Sequence, residues 1–223
     1  MKTLIIAEAG VNHNGDMELA KGLIEAAATA GADMVKFQSF KAEAMVSKTA
    51  PKADYQKTNS GPDDSQYRML KKLQLDRDQH LQLMAHCRLC GIQFLSAPFD
   101  LESIELLHSL AVPLYKIPSG EITNKPYLKA IASKHQPVIM STGMSEISEI
   151  EAALAVLYEN GLTKADITLL HCNTQYPTPM KEVNLRAMIQ LREKLGLAVG
   201  YSDHTRGIEV PIAAVALGAR VIE

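Results

Sequence analysis

Short apolar runs alternate with amphipathic stretches along most of the chain, and this alternation predicts its elements. Residues 3–10, "TLIIAEAG", read as a first strand. Asp16 then stands where a helix cap belongs, before "MELAKGLIEAAATAG", whose Leu19, Leu23 and Ile24 form an apolar stripe that ends at Gly31. "MVKFQSF" reads as a second strand. Residues 41–75 break the rhythm, with Pro51, Gly61 and Pro62 among polar neighbours, and are expected to form a long functional or mobile excursion. The helix "DRDQHLQLMAHCRLCG" leads to a third strand, "IQFLSAP", and a helix beginning near Asp100 leads to a fourth, "PLYKIPS". "KPYLKAIASK" is then a helix and "PVIMSTG" a fifth strand, "SEISEIEAALAVLYENG" a helix and "ITLLHCN" a sixth strand, "NLRAMIQLREKLG" a helix and "LAVGYSD" a seventh strand. A helix containing Ile208, Val210 and Ile212 precedes "ARVIE", the start of an eighth strand.

Strands that are apolar throughout, each followed by a helical stretch, are the pattern of a parallel sheet covered by helices. Eight of them predict an α/β (β/α)8 TIM barrel, a fold of typically ~250 residues. Since the sequence stops at Glu223, the expected barrel is truncated at the start of strand eight and forms one domain over residues 1–223. An open doubly wound sheet is the alternative, but its phosphate loop needs a glycine-rich turn after strand one, and "EAGVNHNG" is not one.

Composition narrows the function. The chain has 47% hydrophobic residues, enough for one sizeable core. Twenty-three basic and 25 acidic residues give a net charge of −2, which argues against a nucleic-acid footprint and against a polybasic membrane surface. The apolar runs are too short to span a bilayer, and Glu8 interrupts the N-terminal one, so no secretion signal is read there. Cys87, Cys90 and Cys172 suit a reducing compartment, and the expected location is cytoplasmic. Cys87 and Cys90 form a CxxC that has no second pair to complete a four-thiolate zinc site, so they read as structural thiols.

In a barrel the chemistry gathers at the C-terminal ends of the strands. The residues that fall there are Glu8, Asn12 and His13; Lys36 and Gln38; Ser96; Lys116, Ser119 and Glu121; Ser141 and Thr142; His171, Asn173, Thr174, Gln175 and Tyr176; Tyr201, Ser202, Asp203 and His204; and Glu223. Any one of them is explicable as a cap or a satisfied core group; the recurrence is not. Two lysines from different strands, with hydroxyl donors from Ser119, Thr174 and Ser202, suit a small, multiply anionic substrate. Lys116 sits inside an apolar run and needs an anion beside it, either Glu121 or a ligand. A Schiff-base role for Lys116 stays open.

Seven segments, "IIAEAGVNHNGD", "VKFQ", "YKIPSGEITN", "STGMS", "HCNTQYPTP", "GYSDHT" and "GARVIE", resemble in order the sialic acid synthase family, which includes the N-acetylneuraminate, legionaminate and pseudaminate synthases. The resemblance implies a barrel enzyme that condenses phosphoenolpyruvate with an N-acetylated amino-sugar aldehyde and water, releasing phosphate. The sugar is N-acetylmannosamine or 2,4-diacetamido-2,4,6-trideoxymannose, and the form of "HCNTQYPTP" leans toward the second. It also implies a divalent cation, Mn2+ or Mg2+, and a homodimer completed by a further, antifreeze-like domain that this sequence does not contain. Carried over by position, Lys36 and Lys116 hold the carboxylate and phosphate of phosphoenolpyruvate, and Ser119 and Ser202 donate to the phosphate. Glu8, Glu121 and Tyr176 lie around the sugar and the reacting centre. Gln38, Asn173, Thr174 and Asp203 bind substrate, and the excursion supplies Asn59. His204 is a metal ligand, and Glu223 is a site carboxylate that in the family stands just before a second histidine ligand. Three rivals remain: a related synthase using a sugar phosphate, a Schiff-base aldolase acting on pyruvate, and a barrel that binds substrate without turnover.

Overall fold

The computed structural model describes residues 2–47 and 65–223. Asn59 lies outside the described residues. The elements run β1 (Leu4–Gly10), α1 (Met17–Thr29), β2 (Met34–Ser39), α2 (Ala42–Met45), α3 (Gln66–Leu73), α4 (Arg77–Cys90), β3 (Gln93–Pro98), α5 (Leu101–Ser109), β4 (Tyr115–Ile117), α6 (Lys125–Ala132), β5 (Val138–Ser141), α7 (Ile147–Glu159), β6 (Ile167–Cys172), α8 (Arg186–Leu195), β7 (Ala198–Ser202), α9 (Glu209–Ala216) and β8 (Val221–Ile222). All the strand pairs are parallel, in the order β3-β2-β1-β8-β7-β6-β5-β4. The two end strands, β3 and β4, lie side by side and bring the sheet round into a barrel. The expected (β/α)8 fold is present.

Local signals set the helix boundaries. Asp16 accepts from the amides of Glu18 and Leu19, and Asp100 from that of Ser103. Asp76 and Gln79 form a reciprocal capping box at the start of α4. Gly91 and Gly196 close α4 and α8 in the left-handed conformation. The described residues of the excursion between β2 and β3 include helical segments. Two of these, α2 and α3, are tied together where Lys71 and Tyr67 both donate to Glu43. The fourth strand is shorter than expected, since Pro113 and Pro118 bracket it and have no amide to donate. Val210 of α9 is buried, whereas Ile208 and Ile212 are exposed.

Two apolar clusters fill the molecule. The larger lies between the strands and the helices and takes residues such as Ile24, Val35, Tyr115, Leu157 and Val199. The smaller fills the barrel's lumen: Ile6, Met34, Leu95, Ile139, Leu170 and Val221, with Leu4 and Leu114 against it. Side chains in a strand alternate faces, so the residue two places further on from each lumen residue also points inward, one layer nearer the C-terminal rim. Beyond the apolar plug that layer is charged and polar, and it is the floor of a cavity.

Candidate functional site

Counting two residues on from the plug gives Glu8, Lys36, Ala97, Lys116, Ser141, Cys172 and Glu223. On β7 the plug position is Gly200, and two further is Ser202. All eight of these upper residues line one cavity of about 510 Å3 at the C-terminal end of the barrel. The adjoining loops add Gln38, Ser119, Thr174, Tyr176, Asp203 and His204. Most residues expected from the sequence are therefore brought together, although they are scattered along more than 200 positions.

The floor is a chain of alternating charges. Lys36 Nζ is 2.5 Å from Glu8 Oε2 and 3.5 Å from Glu223 Oε1. Lys116 Nζ is 3.3 Å from Glu223 Oε2 and donates to Ser141 Oγ at 2.8 Å. The side chains of Lys36, Lys116 and Glu223 are all less than 10% exposed. Burial alone would push the Glu223 carboxyl up, but Lys116, Lys36 and the Ser202 hydroxyl hold it at about 2. Burial likewise opposes the charge on Lys36, and its two carboxylate neighbours more than reverse this, so its pKa is raised. For Lys116 burial prevails over Glu223, reinforced by repulsion from Lys36, and the pKa is lowered. Burial raises the pKa of Glu8 against the pull of Lys36, although solvent reaches 40% of its side chain.

This geometry revises the sequence-based account of Lys116. The anion that meets it is Glu223, some hundred residues away, rather than Glu121. Glu121 sits in a 3-10 turn after β4, accepts from Asn124 Nδ2 at 2.7 Å, and is not among the cavity-lining residues. Asn173 also lies off the cavity. Its amide donates to the Glu182 carbonyl, and its own carbonyl faces His204 Nδ1 at 2.8 Å. With the Nδ1 proton donated there, His204 keeps its Nε2 lone pair free, the tautomer a metal ligand needs. The ring centroid of Tyr176 is 4.2 Å from that of His204. Asp203 uses Oδ1 to accept from the Thr205 amide and hydroxyl. Among the described residues no group of three or more His, Cys, Asp or Glu has the geometry to hold a metal ion.

Two residues join the site without having been assigned to it from the sequence. Ser141 accepts from the Lys116 ammonium, and Cys172 lies 3.4 Å from Ser119 Oγ. Both are found by the two-residue step from the plug. A Cβ on Gly143 would crowd Thr174, Cys172 and Ser119 at 2.9–3.0 Å, and the Gly143 amide donates to Ser119 Oγ at 2.9 Å. The CxxC takes no part. Cys87 is a buried thiol pushed up to about 12 by desolvation, as befits a structural residue.

With the cavity described, comparison with known proteins places the chain. The model of the NeuB family matches residues 23–223. The chain belongs to the NeuB family. Its relatives include an N,N'-diacetyllegionaminic acid synthase of Campylobacter jejuni, 60% identical over 222 residues, covering all of this chain and 66% of that protein. The enzyme of the same name from Legionella pneumophila is 51% identical over 226 residues, covering all of this chain and 63% of its own length. This NeuB-family chain thus spans less than two thirds of either relative. Among solved structures, the N-acetylneuraminic acid synthetase of Leptospira borgpetersenii, in complex with citrate, matches with a TM-score of 0.86 at 34% identity over all of this chain and 72% of that one.

Proposed function

We propose that this chain carries the barrel of a phosphoenolpyruvate-dependent synthase, which joins phosphoenolpyruvate to an N-acetylated amino-sugar aldehyde with water and releases phosphate. The observation that carries this reading is the pair of buried ammonium groups on the cavity floor, Lys36 and Lys116, which share Glu223 and stand among serine hydroxyls. Two fixed cations with convergent O–H donors suit a small substrate bearing both a carboxylate and a phosphate. The two relatives named N,N'-diacetyllegionaminic acid synthases favour 2,4-diacetamido-2,4,6-trideoxymannose as the acceptor.

In this reading Lys36 and Lys116 bind the two anionic groups, while Ser119, Ser141, Ser202 and Thr174 donate to the phosphate oxygens. Gln38, Tyr176 and Asp203, on the cavity wall, orient the sugar. Carbon 3 of phosphoenolpyruvate attacks the aldehyde carbon, positive charge develops at carbon 2, and water adds there. The tetrahedral product loses phosphate by cleavage of the C–O bond and leaves a 2-keto acid. Glu8, the more solvent-accessible floor carboxyl, stands beside the reacting centre as an acid/base group. Glu121, off the cavity, acts by holding the turn that carries Ser119 and Gly120. A divalent cation, Mn2+ or Mg2+, supplies Lewis-acid polarisation of the aldehyde when bound, and His204 Nε2 is one of its ligands.

The test follows the bridging oxygen. With phosphoenolpyruvate labelled with heavy oxygen at the C–O–P bridge, C–O cleavage places the label in the released phosphate, read by the isotope shift in phosphorus NMR. Label retained in the organic product would refute this reading and point to P–O chemistry.

A further inference from the structure

The two carboxylates on the floor are held unequally. Glu223 lies between both ammonium groups, with the Ser202 hydroxyl also favouring its charge, whereas Glu8 touches a single cation, Lys36, and is the more exposed of the two. The charged and titratable groups that face Glu8 are Lys36 from β2, Lys116 from β4, Glu223 at the end of β8 and Tyr176 from the segment after β6. Without a ligand, two ammonium groups and two carboxylates balance.

A doubly charged anion seated on both lysines breaks that balance. Glu8 is 2.5 Å from Lys36 Nζ, so an anion in hydrogen-bond contact with the same nitrogen lies within about 6 Å of it. At that range each unit of negative charge changes the proton affinity of Glu8 by roughly a hundredfold. Glu223 resists because two cations hold it; Glu8 has one, and that one is now shared with the ligand.

We propose that binding of a tetrahedral dianion at Lys36 and Lys116 is coupled to uptake of a proton by Glu8, which turns this carboxylate from an acceptor that repels the anion into an O–H donor that contacts it. Burial already raises the pKa of Glu8 in the free site, so the anion completes a shift that has begun. This deepens the proposed function and rests on its placement of a phosphate at the two lysines.

Sulfate is the probe, because it does not titrate near neutral pH, whereas phosphate and phosphoenolpyruvate do. Proton uptake is read with an indicator dye in weakly buffered solution near pH 7, against sodium chloride of equal ionic strength, with binding followed by calorimetry. Saturating sulfate is expected to draw up to about one proton per chain from solution. The Glu8→Gln variant should bind sulfate and draw none. In the wild-type chain the affinity for sulfate should fall by up to about tenfold per pH unit on the alkaline side of the coupled range, so the coupling can be read even if the variant does not fold. Sulfate binding with no proton uptake overturns the coupling while leaving the anion site intact. Uptake that persists in Glu8→Gln assigns the proton to a group other than Glu8, Lys116 among them, and also overturns it. If sulfate does not bind the wild-type chain at all, the placement of phosphate on the two lysines falls, and this inference falls with it.

Discussion

Lys116 is the residue on which the site turns. A lysine in an apolar strand announces its need for a counter-charge, and the sequence shows that need without showing which anion meets it. The nearest carboxylate in sequence, Glu121, turns to Asn124, and the partner is Glu223, which parallel pairing delivers from β8. Non-local pairing of this kind follows from barrel closure and has no local signature. It also changes what a substitution does. Lys116→Met leaves Glu223 buried with only Lys36 for company, so it should abolish turnover and also lower stability by about 2–3 kcal/mol. Denaturant titration checks this, and a variant as stable as wild type would show that the Lys116–Glu223 contact contributes nothing. Acid should expose the same network. The folded-state carboxyl of Glu223 is depressed to about 2 from an ordinary 4.5, so its contribution to stability is present above 4.5 and lost as pH falls toward 2. Glu223→Gln should flatten the fall in thermal midpoint across that window, and an unchanged acid slope would assign it to other groups.

At the scale of elements, strands alternating with helices were readable from the apolar pattern, and aspartates at 16, 76 and 100 cap helices as their positions indicate. Among the described residues of the excursion at 41–75, α2 and α3 were not legible, because α3 buries no residue and is tied by polar contacts to α2. The site itself follows a simple rule that needs the lumen to be known first: two residues beyond each plug residue comes a floor residue. That rule recovers Ser141, which the sequence alone leaves among many polar residues near strand ends, and Cys172, which it reads only as a reduced thiol. Gly200 belongs to the plug and is the place where the lumen has no room. A Cβ there would lie 2.3 Å from the Val221 carbonyl and 2.7 Å from Leu170 Cδ2. Gly200→Ala should therefore cost about 3 kcal/mol or more, because the obstacle is backbone of the neighbouring strand. The thermal midpoint should drop by roughly 6–12 °C. A midpoint within error of wild type would mean that β7 and β8 separate without penalty.

At the scale of the whole molecule, a parallel sheet rolled into a nearly closed barrel, with an apolar plug below and a charged layer above, places eight strand ends around one cavity. Among the described residues no helix is long and apolar enough to cross a membrane. Family membership, fold and cavity are consistent with one another, and the proposed chemistry uses the two floor cations to hold an anionic donor. The acceptor is the feature least legible in the sequence, because in the proposed reading it meets wall residues such as Gln38 and Tyr176, which carry no local signature of the sugar. The most direct measurement of the central claim is phosphate release from phosphoenolpyruvate in the presence of Mn2+, with each candidate sugar added separately. The account predicts release with 2,4-diacetamido-2,4,6-trideoxymannose that depends on that sugar and is lost in Lys36→Met. Release only with a phosphorylated sugar, or no release with any acceptor, would contradict it.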